Sequence, residues 1–173
     1  EDARIVFRNF SGKEGQYNRE GDRNFSVLLS DETGDRMQDE GWNVKPLKSR
    51  EEGEPPTPYI QVAVSFKGRP PRVVMITSRG RTNLDESLVD ILDWVDIANV
   101  DLIINPYVWN VNGKTGVKAY LHAIYITIRE DALELKYADV PDSAMSAIEA
   151  PQRLELTSSD EVYLDEQSDG TWG

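Results

Sequence analysis

No cysteine occurs among the 173 residues, and there is a single histidine, His122. The first excludes a disulfide framework, a thiolate zinc site and a cysteine nucleophile, and the second leaves imidazole-based zinc sites and Ser/His/Asp triads poorly supplied. No apolar run approaches the roughly 20 residues needed to span a bilayer, and no basic-then-apolar leader is read at the start. A cytoplasmic protein without a membrane segment or a cofactor is the expectation. Asn9-Phe10-Ser11 and Asn24-Phe25-Ser26 fit a glycosylation sequon, but with no leader they are read as structural. Gly113-Lys114-Thr115 has the closing residues of a phosphate-binding loop. The position of that motif's first glycine is Val108, however, and no helical pattern comes after it, so nucleotide hydrolysis is set aside. Asp85, Glu86, Asp90 and Asp93 sit at helix-start and helix-surface spacing, where acids are ordinary, and are not read as a metal set.

Positive charge is also scarce: 19 Lys and Arg stand against 31 Asp and Glu, a formal net charge of −12. Phosphate binding needs a positive footprint, and the distribution of charge supplies one. Residues 1–129 hold 17 basic and 19 acidic side chains, whereas residues 130–173 hold 2 and 12. The acidity is thus concentrated at the C-terminal end. Residues 55–84 contain Lys67, Arg69, Arg72, Arg79 and Arg81 with no acid, and residues 102–129 contain Lys114, Lys118 and Arg129, again with none.

Short β-prone runs over 3–8 and 24–29 are separated by the turn-rich segments 11–15 and 20–22. Asp31 to Glu40, closed by Gly41, has the length of a short surface helix that Gly34 weakens. Trp42 to Lys45 reads as a strand and Ser49 to Pro58 as a loop. Residues 59–66 and 72–77 read as two strands of a hairpin around the basic, proline-stiffened connection Lys67-Gly68-Arg69-Pro70-Pro71. Asn83, with Glu86 three residues on, predicts a capped helix whose stripe is Leu84, Leu88, Ile91, Leu92 and Val95. Residues 100–112 and 117–129 close the pattern as a long hairpin around Asn112-Gly113-Lys114-Thr115-Gly116. After Arg129 the periodicity fails. The reading is a mainly β, OB-like five-stranded barrel over 1–138, with extra N-terminal strands and one main α-helix between barrel strands. A flexible acidic tail is expected over 139–173.

Pairing Asn112 with Val117 across a four-residue loop places Val111 opposite Lys118, Trp109 opposite Tyr120 and Tyr107 opposite His122, all on one side of the ladder. Val108, Asn110, Ala119 and Leu121 take the other side. Aromatic platforms beside a cation suit stacked bases and a phosphate, each stack typically contributing about 1–3 kcal/mol. The alternative is that these aromatics are core. Lys67, Arg69, Arg72, Arg79, Arg81 and Lys114, on loops and turns, are the candidate backbone clamps.

Three pieces, Arg23-Asn24-Phe25-Ser26, Gly41-Trp42-Asn43-Val44-Lys45, and Asn105-Pro106-Tyr107 through Gly116-Val117-Lys118-Ala119-Tyr120-Leu121, resemble OB-fold single-stranded-DNA-binding proteins encoded by tailed phages. The resemblance implies a replication and recombination accessory that coats single strands without reading sequence, in the cytoplasm of an infected host, and it leaves oligomeric state open. Such proteins commonly end in acidic segments with an aromatic that recruit partners. Here Asp160, Glu161, Asp165, Glu166 and Asp169 precede Trp172. The rival reading is an acidic DNA mimic or anti-defence protein that binds a host nuclease. Net negative charge gathered at one end of the chain, −10 over residues 130–173 against −2 over 1–129, and not spread over a folded surface, argues against it.

Overall fold

The β-branched and aromatic runs form strands in the computed structural model, which describes residues 1–130. They are β1 (Arg4–Asn9), β2 (Arg23–Leu28), β3 (Val44–Leu47), β4 (Thr57–Val64), β5 (Arg72–Thr77), β6 (Gly80–Asn83), β7 (Ile97–Val111) and β8 (Lys114–Ile128). All eight join one curled sheet, a mainly β, OB-like half-barrel. The expected tail and the boundary at 138 lie outside the described residues.

The topology is governed by the length of β8. Its fifteen residues pair antiparallel with β7 along one whole edge. The other edge takes β4 at Ala119 and Tyr120 and then β5 from Ala123 to Thr127, both parallel. Strands β4 and β5 therefore do not form the expected hairpin. They lie end to end beside β8, and residues 65–71 make an excursion between them. Pro70 and Pro71 carry no amide donor and hold φ near −65°, so this segment cannot enter a ladder. β4 also pairs with β2 and β3, and β1 pairs with β2.

The helix, α1 (Asp31–Asp39), lies between β2 and β3. Ser30 caps it by accepting from the Thr33 amide, and Asp31 and Glu32 occupy the positive end of its dipole. Gly34, which costs helix propensity, faces Pro58 so closely that a Cβ there would lie 2.7 Å from the proline ring. Docking against the sheet outweighs that propensity loss.

The main helix expected after Asn83 is not present. Asn83 ends β6, paired with Val74, and the turn role passes to Asp85, whose carboxylate accepts from the Ser87 hydroxyl at 2.6 Å and amide at 2.9 Å. Those bonds, the hydroxyl's first, hold Asp85 below the usual carboxylate range. Beyond this turn the chain forms a 3₁₀ helix over Val89–Asp93. Its buried residues Val89 and Leu92 recur at three, the 3₁₀ period, while Leu88 and Ile91 of the anticipated stripe are exposed. This segment plugs the half-barrel against Phe10, Phe25, Val62, Ile124 and Ile126. Two contacts lock it to β1: the Asp93 carboxylate accepts the amides of Phe10 and Ser11 at 2.6 and 3.0 Å, and Arg8 donates to the carbonyls of Leu92 and Val95. Asp85 and Asp93 thus bind the chain's own donors, and no cluster of three or more potential metal ligands exists among the described residues.

Candidate nucleic-acid interface

The site is built on the β7–β8 hairpin. Asn112 and Gly113 both have positive φ, 51° and 77°, the two-residue type I′ turn for which Asn-Gly is best suited. Val111 therefore pairs with Lys114, Trp109 with Gly116, Tyr107 with Lys118 and Asn105 with Tyr120. Trp109 does not face Tyr120, nor does Tyr107 face His122. The register differs from the four-residue-loop expectation by an even number of residues, which preserves every face. Pro106 pairs in register with Ala119, and a bulge falls between Ile103 and Ile104, leaving His122 as the extra residue of β8.

Ala119 and Leu121 are buried in the core, so Tyr107, Trp109, Lys118 and Tyr120 occupy the opposite, open face. Tyr107 is exposed and its ring meets Tyr120 edge-on, with centroids 5.8 Å apart at 84°. The Lys118 ammonium lies 5.1 Å from the Tyr120 ring centre. Trp109 is half-buried and lies flat on Gly116, where a Cβ would come within 2.5 Å of the indole. Glycine is required there by close approach, not by backbone conformation. Gly116→Ala should lift the indole from its seat, weaken oligo-dT binding at least about fivefold and change tryptophan emission. Unchanged affinity and emission would show that Trp109 needs no such seat.

A groove of about 410 Å³ runs from this hairpin across β4 to the start of β2. Trp109, Lys118 and Tyr120 line one end, Gln61, Ala63, Ser65 and Lys67 the middle, and Arg23, Asn24 and Tyr17 the other. Lys67 is the one member of the 55–84 basic set that lines the groove. Exposed Arg69 lies within the excursion that straddles the His122 bulge, and exposed Arg72 begins β5 just after it. His122 is exposed, with its Nδ1 3.4 Å from Asn105 Nδ2. Arg79 and Arg81 sit at the β5–β6 turn, level with the end of β8. That is seven residues beyond Tyr120, or roughly 23 Å. Lys114 is at the hairpin tip, roughly 13 Å from Lys118 along the strand. The basic residues are therefore graded along the sheet and are not gathered in one clamp.

Tyr17, Arg23 and Asn24 were not among the residues expected from sequence. Tyr17 is 87% exposed on a tight turn closed by reciprocal Gly15 and Asn18 backbone bonds, and the Asn18 side chain accepts from Asn24 at 2.7 Å. A large aromatic amid Gly, Gln and Asn has no strand face to bury it, and that signal was present in the sequence. Arg23 gave none, because its position depends on Phe66 and Glu86, far away along the chain.

Residues 1–169 match the family model of the phage ssDNA-binding domain. The chain belongs to that family. No curated protein sequence matches the chain. Solved structures similar to it include the single-stranded DNA-binding protein of bacteriophage Enc34 as a C-terminal truncation, at 12% identity, 75% of this chain, 83% of that one and TM-score 0.48. The Enc34 protein in complex with ssDNA is similar at 13% identity, 75% and 84% coverage and TM-score 0.47. The bacteriophage T7 single-stranded DNA-binding protein gp2.5 is similar at 14% identity, 80% and 95% coverage and TM-score 0.33.

Proposed function

We propose that this phage ssDNA-binding domain takes single strands of any sequence along the open face, stacking bases on Tyr107, Trp109 and Tyr120 while Lys118, Lys67 and the flanking Arg69, Arg72 and His122 meet the backbone. The observation that carries this reading is the aromatic hairpin facing away from the core beside Lys118. Exposed rings cost the fold burial that they would gain inward, and every base offers a π-face to recover it. Arg79, Arg81 and Lys114 extend the positive track for longer strands. The role is support of phage DNA replication or recombination in the cytoplasm of the infected host. A titration of tryptophan fluorescence with oligo-dT, competed by matched duplex, tests it. Quenching with tighter binding to the single strand is expected, and equal affinity for duplex overturns the reading.

The acidic residues beyond Ala138 compete with DNA for these cations and recruit replication partners through Asp160, Glu161, Asp165, Glu166, Asp169 and Trp172. Their net charge is opposite to that of the groove, and a tether makes the competition intramolecular. Truncation after Ala138 should tighten oligo-dT binding about tenfold at low ionic strength, with the gain fading as salt screens exposed charge. A truncated chain that binds no better at low salt removes the masking role.

A further inference from the structure

Arg23 is the cation at the β2 end of the groove, and its surroundings are unlike those of the lysines. Its side chain is four-fifths shielded, at 20% exposure. The guanidinium carbon lies 5.6 Å from the Phe66 ring centre. One terminal nitrogen, Nη1, donates to Glu86 Oε1 at 3.0 Å, while Glu86 itself is 61% exposed. The Nε of Arg23 is buried and has no hydrogen-bond partner, the one side-chain atom so placed among the described residues. A guanidinium has five donors in a fixed fork suited to bidentate acceptance by carboxylate or phosphate. Here Glu86 supplies one oxygen to it, and both residues line the groove with Lys67 and Trp109.

We infer that Arg23 is a backbone-phosphate site of the groove and that Glu86 is its displaceable stand-in, an acid that holds the guanidinium in place in the free protein and yields it to a DNA phosphate. This role presupposes the ssDNA function proposed for the groove. The Phe66 ring beside it, the burial of Nε and the bond to Glu86 hold the guanidinium at the β2 end of the groove before any strand arrives. Glu86 is held weakly by comparison. It sits on the exposed 85–88 turn, its bond to Arg23 is monodentate, and an ion pair whose acid is this open to solvent contributes little to stability. A backbone phosphodiester carries the same single negative charge but can turn both of its non-bridging oxygens to the fork, where Glu86 offers one. Glu86 therefore lowers affinity by competition, and it also keeps an anion-seeking arginine from taking other ligands.

The test uses the full chain and oligo-dT, with affinities measured from low to high salt. Glu86→Gln should bind about two- to fivefold more tightly at low salt, an advantage that shrinks as salt rises. Arg23→Gln should bind more weakly and flatten the plot of log affinity against log salt by about 0.7, the contribution of one single-strand phosphate contact. In the Arg23→Gln background the gain from Glu86→Gln should disappear, which separates relief of competition from general loss of negative charge. Arg23→Lys, which keeps the charge, should preserve the slope should Arg23→Gln fold poorly. If the wild type binds and Glu86→Gln binds no tighter, or its gain survives without Arg23, the inference is overturned while the ssDNA reading stands. A wild-type chain that fails to bind oligo-dT overturns both.

Discussion

Replacing Trp109 by alanine is expected to weaken oligo-dT binding by about ten- to a hundredfold, the loss of one base stack, while moving the melting temperature by only a few degrees. The indole rests on Gly116 on the open face, so its removal uncovers a strand surface and leaves no internal void. Tyr120→Ala should behave similarly but less strongly, because Tyr107 and Lys118 remain beside it. Fluorescence quenching on binding should vanish largely with Trp109. Among the described residues, Trp42, its indole nitrogen bonded to Glu40, and Trp94, under Lys13 beside the 3₁₀ helix, do not line the groove, whereas Trp109 does. A fall of more than about 10 °C in the melting temperature of Trp109→Ala would place this ring in the core and invert the face assignment.

The second large effect is expected on the other side of the same sheet. Phe25 is fully buried, stacks on Phe10 with centroids 5.2 Å apart, and pairs across the ladder with Val62. Phe25→Ala should cost about 3–5 kcal/mol, because the surrounding strands cannot collapse into the cavity. For a domain of this size, that corresponds to a drop of about 10–20 °C in thermal melting. Below its melting temperature the variant should bind oligo-dT nearly as the wild type does, since no groove residue changes. A variant that melts normally, or that loses affinity while fully folded, would contradict this division of labour between faces. Trp109→Ala and Phe25→Ala together form a two-way test: one substitution moves binding without stability, the other stability without binding.

The assignment of the aromatics to one face was legible because strand side chains alternate with period two. Tyr107, Trp109, Lys118 and Tyr120 share a face that an even-numbered error in register leaves intact. The error itself arose from the turn. Asn-Gly closes a hairpin in two residues when both adopt positive φ, and counting Gly113 to Gly116 as loop overlooked that preference. The helix after Asn83 failed for a related reason. Val89, Leu92 and Val95 at spacing three fit a 3₁₀ turn as well as Leu84, Leu88 and Ile91 fit an α-helix, and only the room inside the half-barrel chooses between them. Gly34 argued against a helix that forms because Pro58 needs the space.

By itself, the sequence determined most of the strands, the two-faced hairpin, the stop of α1 at Gly41 and the partition of charge, since each depends on residues close together in the chain. Tertiary structure alone decided that β4 and β5 share one edge of β8, that His122 becomes a bulge where one leaves and the other begins, and that Arg23 meets Phe66 and Glu86. These depend on which distant strand supplies hydrogen-bond partners and where a closing core leaves room. Backbone donors are nearly identical at every residue, so local pattern cannot say which edge they will find.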